Sequence, residues 1–292
     1  MRGPLRAAAA VAVGAGAAVA AAAAATVLGR RDDRFVPTMF GVAHLFTTEG
    51  PDGRAIRVLS LGGGWQTVMY LDDPDEPAAA YARGFDLVLR DGAAEGAGGP
   101  DGRAAVEGSG NGRSVLVIGG AGCAWPRHAV AVDDAVQVTV VEVDPAVVAV
   151  ARREFHLDDA VARAGSTPSG EPRLRVVTDD GLRFLARRAV EGGRPFDAVI
   201  NDAYAGTDAP EALLSPVGLS LAKGALTPGG LYVANVVCSP TDPSPVLAAR
   251  DALLGTFSHV WDVPCPDPLA EEENHLLVAS DADREVPGAY PL

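Results

Sequence analysis

The sequence predicts an α/β protein with a doubly wound, mainly parallel sheet and a small β-hairpin region ahead of it. Three observations carry that expectation. From Ser114 onward, short Val- and Ile-rich runs recur, each followed by a stretch with helical spacing of its apolar residues. The first of these runs leads straight into a Gly-rich turn, Gly119-Gly120-Ala121-Gly122. Upstream, Ala55–Leu61 and Trp65–Leu71 are β-rich and separated only by Gly62, Gly63 and Gly64, which reads as a hairpin.

Taken in order, the chain opens with 23 residues, Ala7–Gly29, that carry no charge, flanked by Arg2 and Arg6 before and by Arg30, Arg31 and Arg34 after. That length spans a bilayer as a helix, but alanine is barely apolar, so three readings stand: a membrane anchor, a cleaved secretory signal, or an Ala-rich tail. The flanking basic residues lean toward a cytoplasmic catalytic body, with membrane contact through residues 7–29. After the hairpin, a helix is expected over Pro77–Leu89, with Pro77 in its first turn. Residues 91–113 contain eight Gly and read as a flexible linker. Beyond it come strands at Ser114–Ile118, Val138–Val143, Leu174–Val177, Phe196–Ile200 and Leu231–Val237, then two late β runs, His259–Val263 and His275–Ala279. Helices are expected at Cys123–Val132, at Pro145–Phe155 with Asp144 as its cap, at Gly181–Arg188 and at Pro245–Phe257. Thr227-Pro228-Gly229-Gly230 reads as a stop and turn. The predicted organisation is a leader (1–34), a small β-rich region (35–90), a Gly-rich linker (91–113) and a Rossmann-like nucleoside-binding domain (114–292).

Composition narrows the function. Of 292 residues, 24 are Lys or Arg and 38 are Asp or Glu, a net charge of −14, and no basic stripe is visible, which argues against a nucleic-acid partner. Cys123, Cys238 and Cys265 form no CxxC pair, and the five His show no ligand spacing, so neither a metal site nor a disulfide framework is expected.

In a doubly wound sheet, ligands bind beyond the carboxyl ends of the strands. Gly119, Gly120 and Gly122 would let backbone approach a ligand there. A dinucleotide fingerprint is weakened, because counting from Gly120 and Gly122 puts Trp125 where the third glycine belongs. Glu142 ends the second strand, 22 residues after Gly120, where a carboxylate accepts hydrogen bonds from ribose hydroxyls. Asp180, beside Gly181 at the end of the third strand, is placed to bond an exocyclic amine, with Asp179 as its solvated neighbour. Asp202 leaves the fourth strand where the reacting centre should lie, and could act as a general base.

These features, with Gln66, Tyr81 and the Thr-Pro-Gly-Gly segment, resemble the spermidine synthase-like (polyamine aminopropyltransferase) family over about Arg57 to Val237. That family is a branch of the class I S-adenosylmethionine-dependent methyltransferase fold. The resemblance implies that Glu142 holds the ribose of decarboxylated S-adenosylmethionine or S-adenosylmethionine as co-substrate, with no prosthetic group. It implies that Asp180 takes the adenine amine, that Gln66 and Tyr81 close over the ligand, that Tyr81 and Tyr204 contact substrate, and that Asp202 is the base. A nucleoside and an amine would be the small-molecule partners, and a homodimer is suggested. Two departures stand out. Gly122 replaces the Asp of a G-G-G-D-G pattern, and Ala205 replaces the second Asp of D-S-S-D. Because Gly122 leaves room where a carboxylate would stand, a methyltransferase is the alternative, with a non-catalytic nucleoside-binding protein as a third reading.

Overall fold

A computed structural model describes residues 31–89, 113–204, 210–267 and 272–292. The proposed anchor segment and almost all of the Gly-rich linker lie outside the described residues. Among the described residues no helix is long and apolar enough to cross a membrane.

The strands alternate with helices as the apolar runs require. An N-terminal sheet, β1 (Arg31–Thr38), β2 (Gly41–Glu49), β3 (Ala55–Leu61) and β4 (Gly64–Tyr70), is antiparallel throughout, in the order β1-β2-β3-β4. The hairpin is therefore half of a four-stranded sheet, and β1 starts inside the segment assigned to the leader. β1 escapes a pattern reading because it is an edge strand whose Val36 alone among its apolar residues packs, half-buried, against the core. Its sequence, RDDRFVPT, is charge-rich, and Phe35 is 68% exposed. The tight link between β3 and β4 needs positive φ at Gly62 (62°) and Gly63 (93°).

Helix α1 (Ala80–Leu89) follows. Pro77 does not open it: Pro77 forms a bridge to Met69, and the helix starts three residues later, where the Ala80 N–H donates to Asp267 Oδ2 at 2.5 Å. The larger sheet is built from β5 (Ser114–Gly119), β6 (Gln137–Glu142), β7 (Leu174–Thr178), β8 (Phe196–Asp202), β9 (Leu226–Cys238), β10 (His259–Cys265), β11 (Glu273–Ser280) and β12 (Tyr290–Pro291). Their spatial order is β12-β10-β11-β9-β8-β5-β6-β7. The five strands from β9 to β7 are parallel, and β10, β11 and β12 are antiparallel. The order reverses at β5, which pairs with both β6 and β8, and this reversal is the switch point where ligands bind.

The intervening helices are α2 (Ala124–Val132), α3 (Pro145–Glu154), α4 (Leu157–Ala164), α5 (Gly181–Glu191), α6 (Glu211–Leu214), α7 (Pro216–Gly224) and α8 (Ser244–Leu254). Alternation along β5 divides the core. Val115 and Val117 face α1, α2 and α4, while Leu116 and Ile118 face α5, α7 and α8. Asp144 caps α3 as expected, accepting from the Ala146 N–H at 2.8 Å. Helix α4 lacks a foregoing strand and was not anticipated. The Thr227–Gly230 segment is not a turn before a strand. It lies within β9, as a bulge where Phe196 pairs with Leu226 and Ala198 with Leu231.

The small sheet packs Ala43, Leu45, Leu59, Leu61 and Met69 against Val147 and Val150 of α3 and against Phe155. Ion pairs pin the same contact: Glu154 receives Arg57 at 2.5 Å and Arg34 at 2.7 Å. The small sheet is thus held as a cover over the switch point.

Candidate active site

A cavity of about 910 Å³ lies between the cover and the carboxyl ends of the parallel strands. Its floor is the turn after β5. Gly119 (φ 84°) and Gly120 (φ 88°) both take the left-handed region, and a Cβ on Gly119 would stand 2.5 Å from the Asp202 carbonyl oxygen. The Gly120 N–H donates to that same oxygen at 3.1 Å, which ties the turn to the exit of β8. Trp125 is buried, stacked edge-on against Phe85 and donating to Asp86 at 2.7 Å. It locks α1 to α2, which explains why no third glycine stands there.

Of the residues singled out from the sequence, Gln66, Tyr81, Gly119, Gly120, Glu142, Asp180, Asp202 and Tyr204 all line this cavity. Glu142, the last residue of β6, is 8% exposed, and its Oε1 accepts from the Asp144 N–H at 3.0 Å. Burial pushes its carboxyl up to about 7, against the opposing pull of that N–H. Asp202 is likewise pushed up to about 7, mainly by burial and further by the Glu142 charge, while a hydrogen bond from Asn235 opposes the rise. Tyr81 reaches in from α1, edge-on to Phe85 at 5.8 Å, and burial with Asp202 nearby raises its phenol well above the ordinary value. Tyr204 presents its ring, but its hydroxyl already donates to the Asn235 carbonyl at 3.0 Å and accepts from the Val237 N–H at 2.9 Å.

The two neighbouring aspartates at the end of β7 divide the labour differently from the expectation. Asp179 is not a solvated bystander. It is buried, receives Arg183 at 2.6 Å and Arg187 at 2.7 Å, and its carboxyl is held below the ordinary range chiefly by Arg187. Asp180 caps α5 through the Arg183 N–H at 2.8 Å and also lines the cavity. Capping and ligand contact are therefore both open to the same carboxylate.

Gly122 is the one predicted residue that does not line the cavity, and the room it was expected to leave is already filled. A Cβ there would stand 2.4 Å from Thr67 Cγ2, and the Gly122 N–H donates to Thr67 Oγ1 at 2.7 Å. The cover strand β4 thus plugs the place where a carboxylate would have stood. Ala205, the other departure, lies outside the described residues.

Sequence reading missed five polar contributors, Thr67, Asn235, Asn274, Asp267 and Glu272. Thr67 and Asn235 sit in the middle of strands, where only the register shows what they meet. Asn235 donates to Asp202 Oδ1 at 2.8 Å and accepts from Asn274 Nδ2 at 2.8 Å. Asp267 and Glu272, from the connection between β10 and β11, add two carboxylates to the cavity wall. Cys123 is buried with its thiol pushed up to about 12, so it offers no nucleophile. Among the described residues no three His, Cys, Asp or Glu side chains form a metal-ligating group.

Sheet order, Gly-rich turn and carboxylates at three successive strand ends define a Rossmann-like fold of the class I methyltransferase type. Within it, residues 103–244 match the spermine/spermidine synthase domain, so in sequence and in fold this chain is similar to the spermidine synthases. Curated polyamine aminopropyltransferases of Escherichia fergusonii and Escherichia coli K12 are each 32% identical over 130 residues, which is 44% of this chain and 42% of theirs. The chain thus spans about two fifths of the length of these relatives. A probable spermidine synthase from Corynebacterium glutamicum superposes with a TM-score of 0.59 at 20% identity, covering 88% of this chain and 81% of its own. A spermidine synthase in complex with the transition-state analogue AdoDATO gives 0.55 at 18% identity, over 82% of this chain and 71% of its own.

Proposed function

We propose that this chain is a spermidine synthase-like transferase. It binds decarboxylated S-adenosylmethionine and moves the aminopropyl group to an amine. The observation that carries this reading is the charge of the cavity. Glu142, Asp144, Asp180, Asp202, Asp267 and Glu272 line it, and among the described residues no Lys, Arg or His does. A low-dielectric cleft of one sign concentrates ligands of the other. Decarboxylated S-adenosylmethionine carries a sulfonium and an ammonium and no carboxylate, and the acceptor arrives as a cation. Intact S-adenosylmethionine would bring a carboxylate into this field with no basic partner. The room at Gly122 that favoured a methyltransferase is taken by Thr67.

In this reading Glu142 accepts from the ribose hydroxyls, Asp180 from the adenine amine, and Gln66 and Tyr81 close the cover side. Asp202 takes a proton from the acceptor ammonium, so the amine nitrogen presents a lone pair. That lone pair attacks the aminopropyl carbon bonded to sulfur, the C–S bond breaks, and its electron pair returns to sulfur, leaving neutral methylthioadenosine. The step depends on in-line positioning and on the base, and a carboxyl near pH 7 is well matched to it. Activity should therefore fall as pH drops below about 7, where Asp202 holds its own proton.

Calorimetric titration with decarboxylated S-adenosylmethionine, S-adenosylmethionine and methylthioadenosine tests the reading. Tighter binding of the decarboxylated form than of the intact one is expected. Preference for the intact form, or binding of none of the three, would overturn it.

A further inference from the structure

Asn235 is out of place by composition. It lies in Val233-Ala234-Asn235-Val236, a stretch of β9 whose other members are at most 5% exposed, and is itself 6% exposed. A primary amide in such a strand is costly unless its groups are paired. The register supplies both partners. Parallel pairing sets Asn201 beside Ala234, so Asp202 stands next to Asn235 at the end of β8. Antiparallel pairing sets Asn235 opposite Leu276 and Val237 opposite Asn274, so Asn274 lies on the diagonal of the same face. The result is a chain of hydrogen bonds across three strands: Asn274 Nδ2 to Asn235 Oδ1, and Asn235 Nδ2 to Asp202 Oδ1, both 2.8 Å.

The direction of this chain is fixed by chemistry. Asp202 as a carboxylate only accepts, so Asn235 must turn its NH2 toward it and its oxygen away, and that oxygen is met by a donor from Asn274. With Oδ1 tied, Oδ2 lies toward the Gly-rich turn, 3.7 Å from where a Cβ on Gly120 would be. We propose that Asn235 and Asn274 are positioning residues, a two-amide relay that holds Asp202 by Oδ1 so that Oδ2 is the oxygen presented to the incoming amine. The inference rests on the reading of Asp202 as the base, but the relay can be tested without substrate.

The hydrogen bond from Asn235 favours the charged carboxylate, whereas burial and the Glu142 charge disfavour it. Among the described residues, the other titratable groups around Asp202 are Tyr81 on α1, Tyr204 beyond β8 and Cys123 in the turn, with Asp180, Asp267 and Glu272 on the same cavity wall. The two phenols and the thiol are neutral through the range of interest, and Glu142, whose charge raises the Asp202 carboxyl, is the neighbour whose titration is followed in parallel. The experiment is a pH titration of the Asp202 carboxyl in the unliganded full chain, by carboxyl-detected NMR with the signal assigned from Asp202→Asn. Asn235→Leu should move the Asp202 midpoint up by about one pH unit. Asn274→Leu, which leaves Asn235 in place, should move it the same way by less. An unchanged or lowered midpoint in Asn274→Leu overturns the relay, even if Asn235→Leu does not fold. If both midpoints rise while the protein binds no nucleoside, the relay stands and the transferase reading falls. If nucleoside binds and the midpoints do not move, the reverse holds.

Discussion

The two sheets meet at one cavity and contribute opposite things to it. The parallel sheet brings Glu142, Asp180 and Asp202 on the ends of β6, β7 and β8, with raised carboxyls at the first and last. The antiparallel sheet brings Phe40, Leu59, Leu61, Trp65, Gln66 and Thr67, and not one charge. In the proposed reading one side holds and deprotonates, and the other excludes water and thereby strengthens the electrostatic interactions facing it. The cover also reaches into the other side's chemistry twice. Thr67 fills the space at Gly122, and the Met39 N–H donates to Asp144 Oδ2 at 2.6 Å.

The sharpest way to break this division is to neutralise its reactive end. Asp202→Asn should lower turnover by about 10³-fold, within the range for losing a general base, and leave nucleoside affinity unchanged by calorimetry. Retained turnover would place the base elsewhere. The same variant has a stability signature. The folded-state carboxyl near 7 lies above the ordinary 3.8, so the folded protein holds a proton that the unfolded chain releases between those values. The contribution of this carboxyl to the stability of the unliganded protein therefore declines as pH rises from about 4 to 7, and Asp202→Asn should melt higher relative to wild type at pH 8 than it does near pH 4.

A smaller effect tests the plug. Gly122→Ala places a Cβ against Thr67 and should cost about 1–3 kcal/mol, read as a lowered denaturation midpoint. Thr67→Ser in the same chain, which removes Cγ2 and keeps the hydroxyl that accepts from the Gly122 N–H, should recover part of the loss. Failure to recover would mean that the Thr67 methyl does not set the limit at Gly122. Smaller still, Gln66→Ala should weaken nucleoside binding by about tenfold or less, the scale of one hydrogen bond. An unchanged affinity would leave the cover a purely steric role.

The same contrast explains what could be read from sequence. Glu142, Asp180 and Asp202 are legible because a carboxylate at the end of an apolar strand stands out from its run, and the switch point follows from strand and helix alternation alone. Capping by Asp144 was legible for the same local reason. The cover was half legible: β3 and β4 announce themselves by their Gly link, but β1 carries its charges along an exposed edge and shows no alternation. Asn235 and Asn274 acquire meaning only through register, since nothing local says that residues 39 apart share a hydrogen bond. Asp180 lines the cavity as the sequence suggests, but Asp179 is not its solvated neighbour, because Arg183 and Arg187 return from the following helix to bind it. The filling of Gly122 by a strand from another sheet is likewise a fact of packing that no spacing rule reports.

The proposed function is that a cavity whose charged residues, among those described, are all acidic moves an aminopropyl group to an amine under a neutral cover. The direct measurement is product analysis by mass spectrometry after incubating the full chain with decarboxylated S-adenosylmethionine, or the intact form, and a panel of mono- and diamines. The account predicts methylthioadenosine in equal amount with an acceptor that has gained an aminopropyl group, from the decarboxylated donor only. A methylated acceptor formed from intact S-adenosylmethionine would contradict it.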